Sequence, residues 1–327
     1  MDYTQPAARQ AKWVGYSLDR HKYPNDPRGL MFVKQQGEHG LTSPQIVYLQ
    51  GRRFMFVGGM FASNFINIFR YDRDGLGEIA VPSGLIMQWG NNLYNTDQQW
   101  PPHRPEGKPF IWRDSNGDGD YQADEYAANT DRVRPGPFYV DKRGNIWMAY
   151  GFFRYDFQGL DEKGNPIYSA DKITVMEKPK GMKNVARVCY DSDTDTLLAA
   201  EEGVEERGHP DMRHIGRIFV CRNYLAGNRD PVVFTSGAGG EAACIATAGD
   251  YLFSGGWKER GRVHVNRLTD GAAVGVFDPG PAVGGVDKTG WVDILTGITA
   301  YKQRNGTYLV FIEEDYRGKS ILYRWKP

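Results

Sequence analysis

"VARVCYDSDTDTLLAAEE", Val185–Glu202, reads as two apolar strands around a polar turn. Downstream, "GRIFVCR" (Gly216–Arg222) and "DPVVFTSG" (Asp230–Gly237) add two more strands. Short runs rich in β-branched and aromatic residues, bounded by Gly, Asp and Asn, are strand signals. The set of four recurs. "EAACIATAG", "YLFSGG", "RVHVNRL" and "AAVGVFD" repeat it between Glu241 and Asp278. "VDILTGITAYK", "TYLVFIEED" and "SILYRWK" repeat it from Val292 to Lys326 and stop one strand short. Upstream, "GPFYVD", "NIWMAYG", "FFRYDF" and "KITVMEK" match, as do "QIVYL", "RFMFVGG", "INIFRYD" and "GEIAVPS". The first-to-second-strand turns, "DKRGN", "DSDTDT", "AGD" and "QRNGT", are hairpin signals.

A four-strand repeat of roughly 40–55 residues predicts an all-β fold, a single β-propeller spanning residues 1–327. The length accommodates about six four-stranded blades. "GLMFVKQ", Gly29–Gln35, is expected to supply the missing strand of the last blade and close the ring, which would remove open sheet edges. "SGLIMQWGNNLYNTDQQWPPHRPEGK", Ser83–Lys108, has prolines and little alternation, so the second blade is expected to be distorted or partly replaced by a loop. A β-sandwich with a smaller second domain is the competing architecture.

Formal net charge is +0 and the isoelectric point is near 7.0. That balance argues against nucleic acid or a membrane surface as the main partner. No apolar run approaches the roughly 18 residues that a membrane helix needs. The opening "MDYTQPAARQAKW" has no apolar segment of the signal-peptide kind. Cys189, Cys221 and Cys244 lie in apolar, strand-like contexts without redox or metal spacing, so buried free thiols are expected.

The stretch "RDSNGDGDYQADEY", Arg113–Tyr126, concentrates acidic side chains in one turn. It meets the pattern D-x-N-x-D-G-x-x-x-x-x-E over residues 114–125 at Asp114, Asn116, Asp118, Gly119 and Glu125. This is the calcium-loop pattern of an EF-hand. Asp114, Asn116 and Asp118 would give three oxygens, the Asp120 carbonyl a fourth, Gln122 a direct or water-borne contact, and Glu125 both carboxylate oxygens. The flanks are not amphipathic helices, so the loop is expected to staple a β structure rather than to act as a paired sensor. A weak affinity of the extracellular class, about 10⁻⁴–10⁻³ M, suits that role. A solvated acidic turn that binds nothing is the plain alternative.

Three stretches, "PFIWRDSNGDGDYQADEY", "DKRGNIWMAYGFFRYDFQGLDEKGNPIY" and "YLVFIEEDYRGKSILYRW", resemble bacterial β-propeller proteins of the NHL/YWTD-like kind that carry an inserted EF-hand or dockerin-type calcium loop. The resemblance implies a propeller, a calcium-stapled blade and, as in many relatives, secretion, hence an extracellular or periplasmic location. It implies no single activity, because propellers host binding, scaffolding, lyase and lactonase functions. The dispersed Glu, Asn and Asp ligands of the six-bladed lactonases have no matching motif here.

Ligands of propellers sit at the mouth of the central channel, so the loops after each second strand matter most. "EEGVEERGHPDMRHIG" supplies Glu201, Glu202, Glu205, Glu206, His209, Asp211, Arg213 and His214. "GGWKERG" supplies Trp257, Lys258 and Arg260, and "EEDYRG" supplies Glu313, Glu314, Asp315 and Tyr316. These groups suit acid/base work, a second metal (His209, Asp211, His214) or a solvated rim. Trp89, Trp100, Trp257 and Tyr316 offer faces for sugar rings, or pack as ordinary core. G-x-S-x-G, G-x-G-x-x-G after a strand, and a P-loop are all missing from the sequence. Two functions follow. One is a calcium-stabilised module that binds a carbohydrate or protein, as a monomer or within a larger assembly. The other is a polysaccharide lyase or hydrolase using the acidic and histidine loops.

Overall fold

The structure is a computed structural model that describes residues 41–59, 65–71, 80–87, 101–130, 136–203, 215–237, 242–256, 259–290, 297–314 and 319–327. Its strands form antiparallel meanders in chain order. The first sheet holds β1 (Leu41–Leu49), β2 (Arg52–Gly59), β3 (Phe65–Tyr71), β4 (Ala80–Met87), β5 (Phe110–Arg113) and β6 (Tyr126–Ala128). The second holds β7 (Phe138–Val140), β8 (Ile146–Met148), β9 (Phe153–Tyr155) and β10 (Ile173–Val175). The third holds β11 (Arg187–Asp191), β12 (Thr196–Glu202), β13 (Ile215–Arg222) and β14 (Val232–Thr235). The fourth holds β15 (Ala242–Ala248), β16 (Tyr251–Gly256), β17 (Val263–Arg267) and β18 (Ala273–Phe277), joined to the third by one pairing, Ile215 with Ala242. The last holds β19 (Ile298–Lys302), β20 (Tyr308–Glu314) and β21 (Lys319–Trp325).

The core explains how these sheets stack. Leu49, Phe54, Phe56, Ile66 and Ile86 of the first sheet pack on Ile146, Met148 and Tyr155 of the second. Trp147 packs on Tyr190, Leu197 and Phe219 of the third. Leu198, Ala200 and Ile218 meet Ile245 and Leu252 of the fourth. Phe253, Val263 and Val265 meet Val310, Ile312 and Ile321 of the last. Adjacent first strands also touch in order: β1 with β7, β7 with β11, β11 with β15, β15 with β19. The outer strands are wetter: β18 is exposed at four of its five positions, whereas β11 is buried at four of five. Meanders packed face to face, with first strands innermost and last strands outermost, make a β-propeller.

The segment between the first and second meanders departs from expectation. "PFIW" reads in sequence as a third strand; β5 pairs with β4 and β6 with β5, extending the first sheet outward. All eight residues of β4 are buried as a result. β3 and β5 occupy its two edges, while Ile86 faces one apolar cluster and Leu85 and Met87 face another. Of "GEIAVPS", Gly77–Ile79 lie outside the described residues, and the described part of β4 runs on past Ser83 to Met87. Among the described residues the strands thus form five sets. Gly29–Gln35, the expected closing strand, lies outside the described residues. The three cysteines are free and buried, as expected.

Candidate functional site

The acidic loop connects β5 to β6. Trp112, at the end of β5, is 1% exposed and lies against Tyr121, with ring centroids 4.1 Å apart. This packing pins the middle of the loop to β5. Asx turns then shape it: Asp114 Oδ1 accepts the Gly117 N–H at 3.0 Å, Asn116 Oδ1 that of Asp118 at 2.9 Å, and Asp118 Oδ1 that of Asp120 at 2.8 Å. Gly117 and Gly119 take positive φ, +88° and +80°, where a side chain would be strained. A 3-10 turn over Ala123–Glu125 follows, instead of the helix of an EF-hand.

The expected ligands meet as two groups. Asn116 and Gln122 both donate side-chain N–H to Asp118 Oδ2, at 3.1 and 2.8 Å. Gln122 and Glu125 also form a capping box, each side chain accepting the other's backbone N–H. Glu125 folds back to the loop's start. Its carboxylate accepts from the Trp112 indole at 2.9 Å, the Ser115 hydroxyl at 3.2 Å and the Asn116 amide at 3.3 Å. Burial raises the Glu125 pKa, the hydrogen bonds from Asn116, Gln122 and Trp112 oppose that, and the negative charge of Asp114 adds to it. Among the described residues no three His, Cys, Asp or Glu side chains converge as a metal cluster. The donor set nevertheless suits a hard cation: oxygens only, with a buried carboxylate at each end.

Asp114 also has a partner that sequence reading missed. Its Oδ2 lies 2.5 Å from Arg70 Nη1 on β3, and Asp114 is 0% exposed. The same guanidinium donates to Asn165 Oδ1 at 2.6 Å, to the Gly117 carbonyl at 2.8 Å and to the Pro82 carbonyl at 3.1 Å. Asn165 ends the turn Asp161–Asn165 between β9 and β10, and its amide donates to the Asp114 carbonyl. Ser83 is the extra residue of a β-bulge, because Ile68 pairs with Gly84 while Phe69 pairs with Pro82. Bulges re-aim side chains, and the Ser83 hydroxyl bonds Asn165 Oδ1 at 2.7 Å. One signal was visible: "DEKGN" (161–165) copies the pattern of "DKRGN" (141–145).

The channel-face candidates fare unevenly. Glu201 and Glu202 are the last two residues of β12, and Glu313 and Glu314 the last two of β20, so each pair ends a second strand. Successive strand residues point to opposite faces. Leu197 and Ala199 accordingly face the second sheet and Leu198 and Ala200 the fourth, and the β12–β13 pairing turns irregular between Ala200 and Glu202, where the two glutamates begin. Glu201 is 7% exposed; it pairs with Arg217 at 2.7 Å and accepts the Lys183 amide at 2.7 Å. Glu202 accepts the Asn184 side-chain amide at 2.6 Å. The Glu313 amide donates to the Gly297 carbonyl at 2.8 Å. Arg260 lies 3.9 Å from Asp287. His209, His214, Trp257 and Tyr316 lie outside the described residues, as do Glu205, Glu206, Asp211, Arg213, Lys258, Asp315, Trp89 and Trp100, and the Glu314 side chain.

Two groups at the same strand ends went unread in sequence. Arg187 opens β11 at 3% exposure and donates to the Ala243 carbonyl at 2.9 Å, bridging the first strands of the third and fourth sheets. His264 Nε2 lies 2.9 Å from Glu259 Oε2. The thiols are chemically quiet: burial pushes Cys189 and Cys244 up to about 12, and Cys221 up to about 11.

No protein-family model matches this chain, and no curated protein matches it in sequence. Among solved structures it is similar to the β-propeller domain of Myceliophteria thermophila Cps50 (Swd1), with a TM-score of 0.46 at 9% identity, covering 86% of this chain and 82% of that one. It is also similar to a chain of the mitotic checkpoint complex, with a TM-score of 0.44 at 8% identity, covering 89% and 76%. The sheets and their packing define the class: this protein is a β-propeller.

Proposed function

We propose that this propeller is a non-catalytic binding or scaffolding module, extracellular or periplasmic, whose first sheet is stabilised by calcium. Its ligand is a carbohydrate or a protein, engaged at the face where the second-to-third-strand loops gather. The observation that carries this reading is the fate of Glu201. An acid/base residue needs a carboxylate that can exchange protons with a substrate. Glu201 instead braces Arg217 and the Lys183 amide at 7% exposure. Glu202 is half-buried at the end of β12, accepts the Asn184 side-chain amide at 2.6 Å and keeps part of its carboxylate surface in reach of solvent.

For calcium, Asp114, Asn116, Asp118, Gln122 and Glu125, with the Asp120 carbonyl, are the residues that would hold the ion. Bound calcium would supply the positive charge that balances the loop's carboxylates. The millimolar calcium outside cells matches weak loops of this type, which supports the location proposed.

The test pairs retention with turnover. The chain is passed over immobilised neutral and acidic polysaccharides and over candidate extracellular proteins, and released product is assayed in parallel. Retention without product, weakened in Glu202→Gln, is the expected result. Product release that disappears in Glu202→Gln or Glu314→Gln would establish the lyase or hydrolase instead.

A further inference from the structure

The acidic loop already contains a cation. The Arg70 guanidinium sits among four oxygens: Asp114 Oδ2, Asn165 Oδ1, and the carbonyls of Gly117 and Pro82, at 2.5, 2.6, 2.8 and 3.1 Å. Asp114, Asn165 and Ser83 are each 0% exposed. A carboxylate removed from water to that extent is tolerable only when a positive charge and hydrogen bonds replace the water. Arg70 meets that need from β3, with 12% of its side chain exposed. The network also crosses a sheet boundary, because Asn165 belongs to the second sheet's β9–β10 connection while Arg70, Ser83 and Asp114 belong to the first sheet and its loop.

We propose that Arg70 is the resident counter-cation of the acidic loop. It is a positioning residue that holds Asp114 and Gly117 before any metal arrives, and through Asn165 it couples metal binding to the junction of the first two sheets. This rests on the calcium reading above. Metal and guanidinium share one carboxylate, so each partly substitutes for the other. In the native chain the loop keeps its shape without metal. Without the guanidinium, the buried charge of Asp114 is left for the metal to balance.

The experiment uses the full chain as wild type, Arg70→Met, Arg70→Lys and Asn165→Ala. Melting temperature is read in chelator and in millimolar calcium. Terbium luminescence sensitised by Trp112, whose indole N–H lies 2.9 Å from Glu125, reports occupancy directly. Amide hydrogen exchange is followed at 114–122 and 161–168. The calcium-induced shift in melting temperature is expected to be at least about twofold larger in Arg70→Met than in wild type, because calcium stabilises in proportion to its preference for the folded state. Arg70→Lys restores part of the difference. Calcium slows exchange at 161–168 in wild type, and Asn165→Ala abolishes that slowing while terbium still binds. Equal calcium shifts in wild type and Arg70→Met overturn the proposal. So does a 161–168 segment indifferent to calcium in a protein that binds terbium. If terbium does not bind wild type, the calcium reading falls and the resident-cation claim is decided alone: lost protection at 114–122 in Arg70→Met upholds it, unchanged protection overturns it. Should Arg70→Met fail to fold, Arg70→Lys and Asn165→Ala carry the same comparison.

Discussion

Asp141 and Asp114 are both aspartates with 0% exposure, and they are kept in the fold by different means. Asp141 accepts the amides of Arg143 and Asn145, the Asn145 side chain and the Trp147 indole, all from within six residues. Its turn is closed by Gly144 at φ +88°, where an added Cβ would meet Leu49 and Phe157 at 2.9 Å. Asp114 takes one local amide, from Gly117, and an arginine 44 residues earlier in the chain. A carboxylate saturated by its own turn is a self-sufficient building piece. One that depends on a distant cation is a junction between two parts of the fold, here β3 and the loop after β5.

The sharpest way to break this contrast is Asp114→Ala. It strands the Arg70 guanidinium in a mostly buried site, with an expected loss of about 3–5 kcal/mol in chemical denaturation. It also abolishes any response to calcium. Asp141→Asn places an amide N–H among four existing donors and is expected to cost about 2–3 kcal/mol, with the calcium response intact. If that variant also lost its calcium response, the two aspartates would not be independent. Chelating wild type is gentler. At calcium tenfold above the dissociation constant, removal costs about 1.4 kcal/mol, and an unchanged melting temperature would count heavily against the metal site. Glu202→Gln keeps its contact to Asn184, so its stability should stay within about 0.5 kcal/mol of wild type while ligand retention falls.

The strand sets were legible because their signal is local. "TLLAAEE" and "YLFSGG" are β12 and β16 almost to the residue, and the turns before them are short and polar. The attachment of β5 and β6 to the first sheet was not legible. "PFIW" announces a strand but not which edge it joins, and that choice is made by β4, on the far side of a long proline-bearing connection. The ligand pattern of the acidic loop could be read letter by letter. Arg70 could not, because "INIFRYD" alternates as any strand does and its partners lie 44 and 95 residues away. That Glu201 and Glu202 end a second strand could also be read, but not that Glu201 is tied up by Arg217 and the Lys183 amide, 16 and 18 residues away in the chain.

The serial stacking of the sheets has a kinetic consequence. Each meander closes by hairpins between neighbouring strands, and its main apolar partner is the meander next to it in the chain. Loop-closure costs are therefore small at each step, a condition that favours fast assembly even in an all-β chain. During synthesis each sheet emerges beside a partner that already has its strands, so the molecule can be built outward from the first sheet in the order in which it is translated.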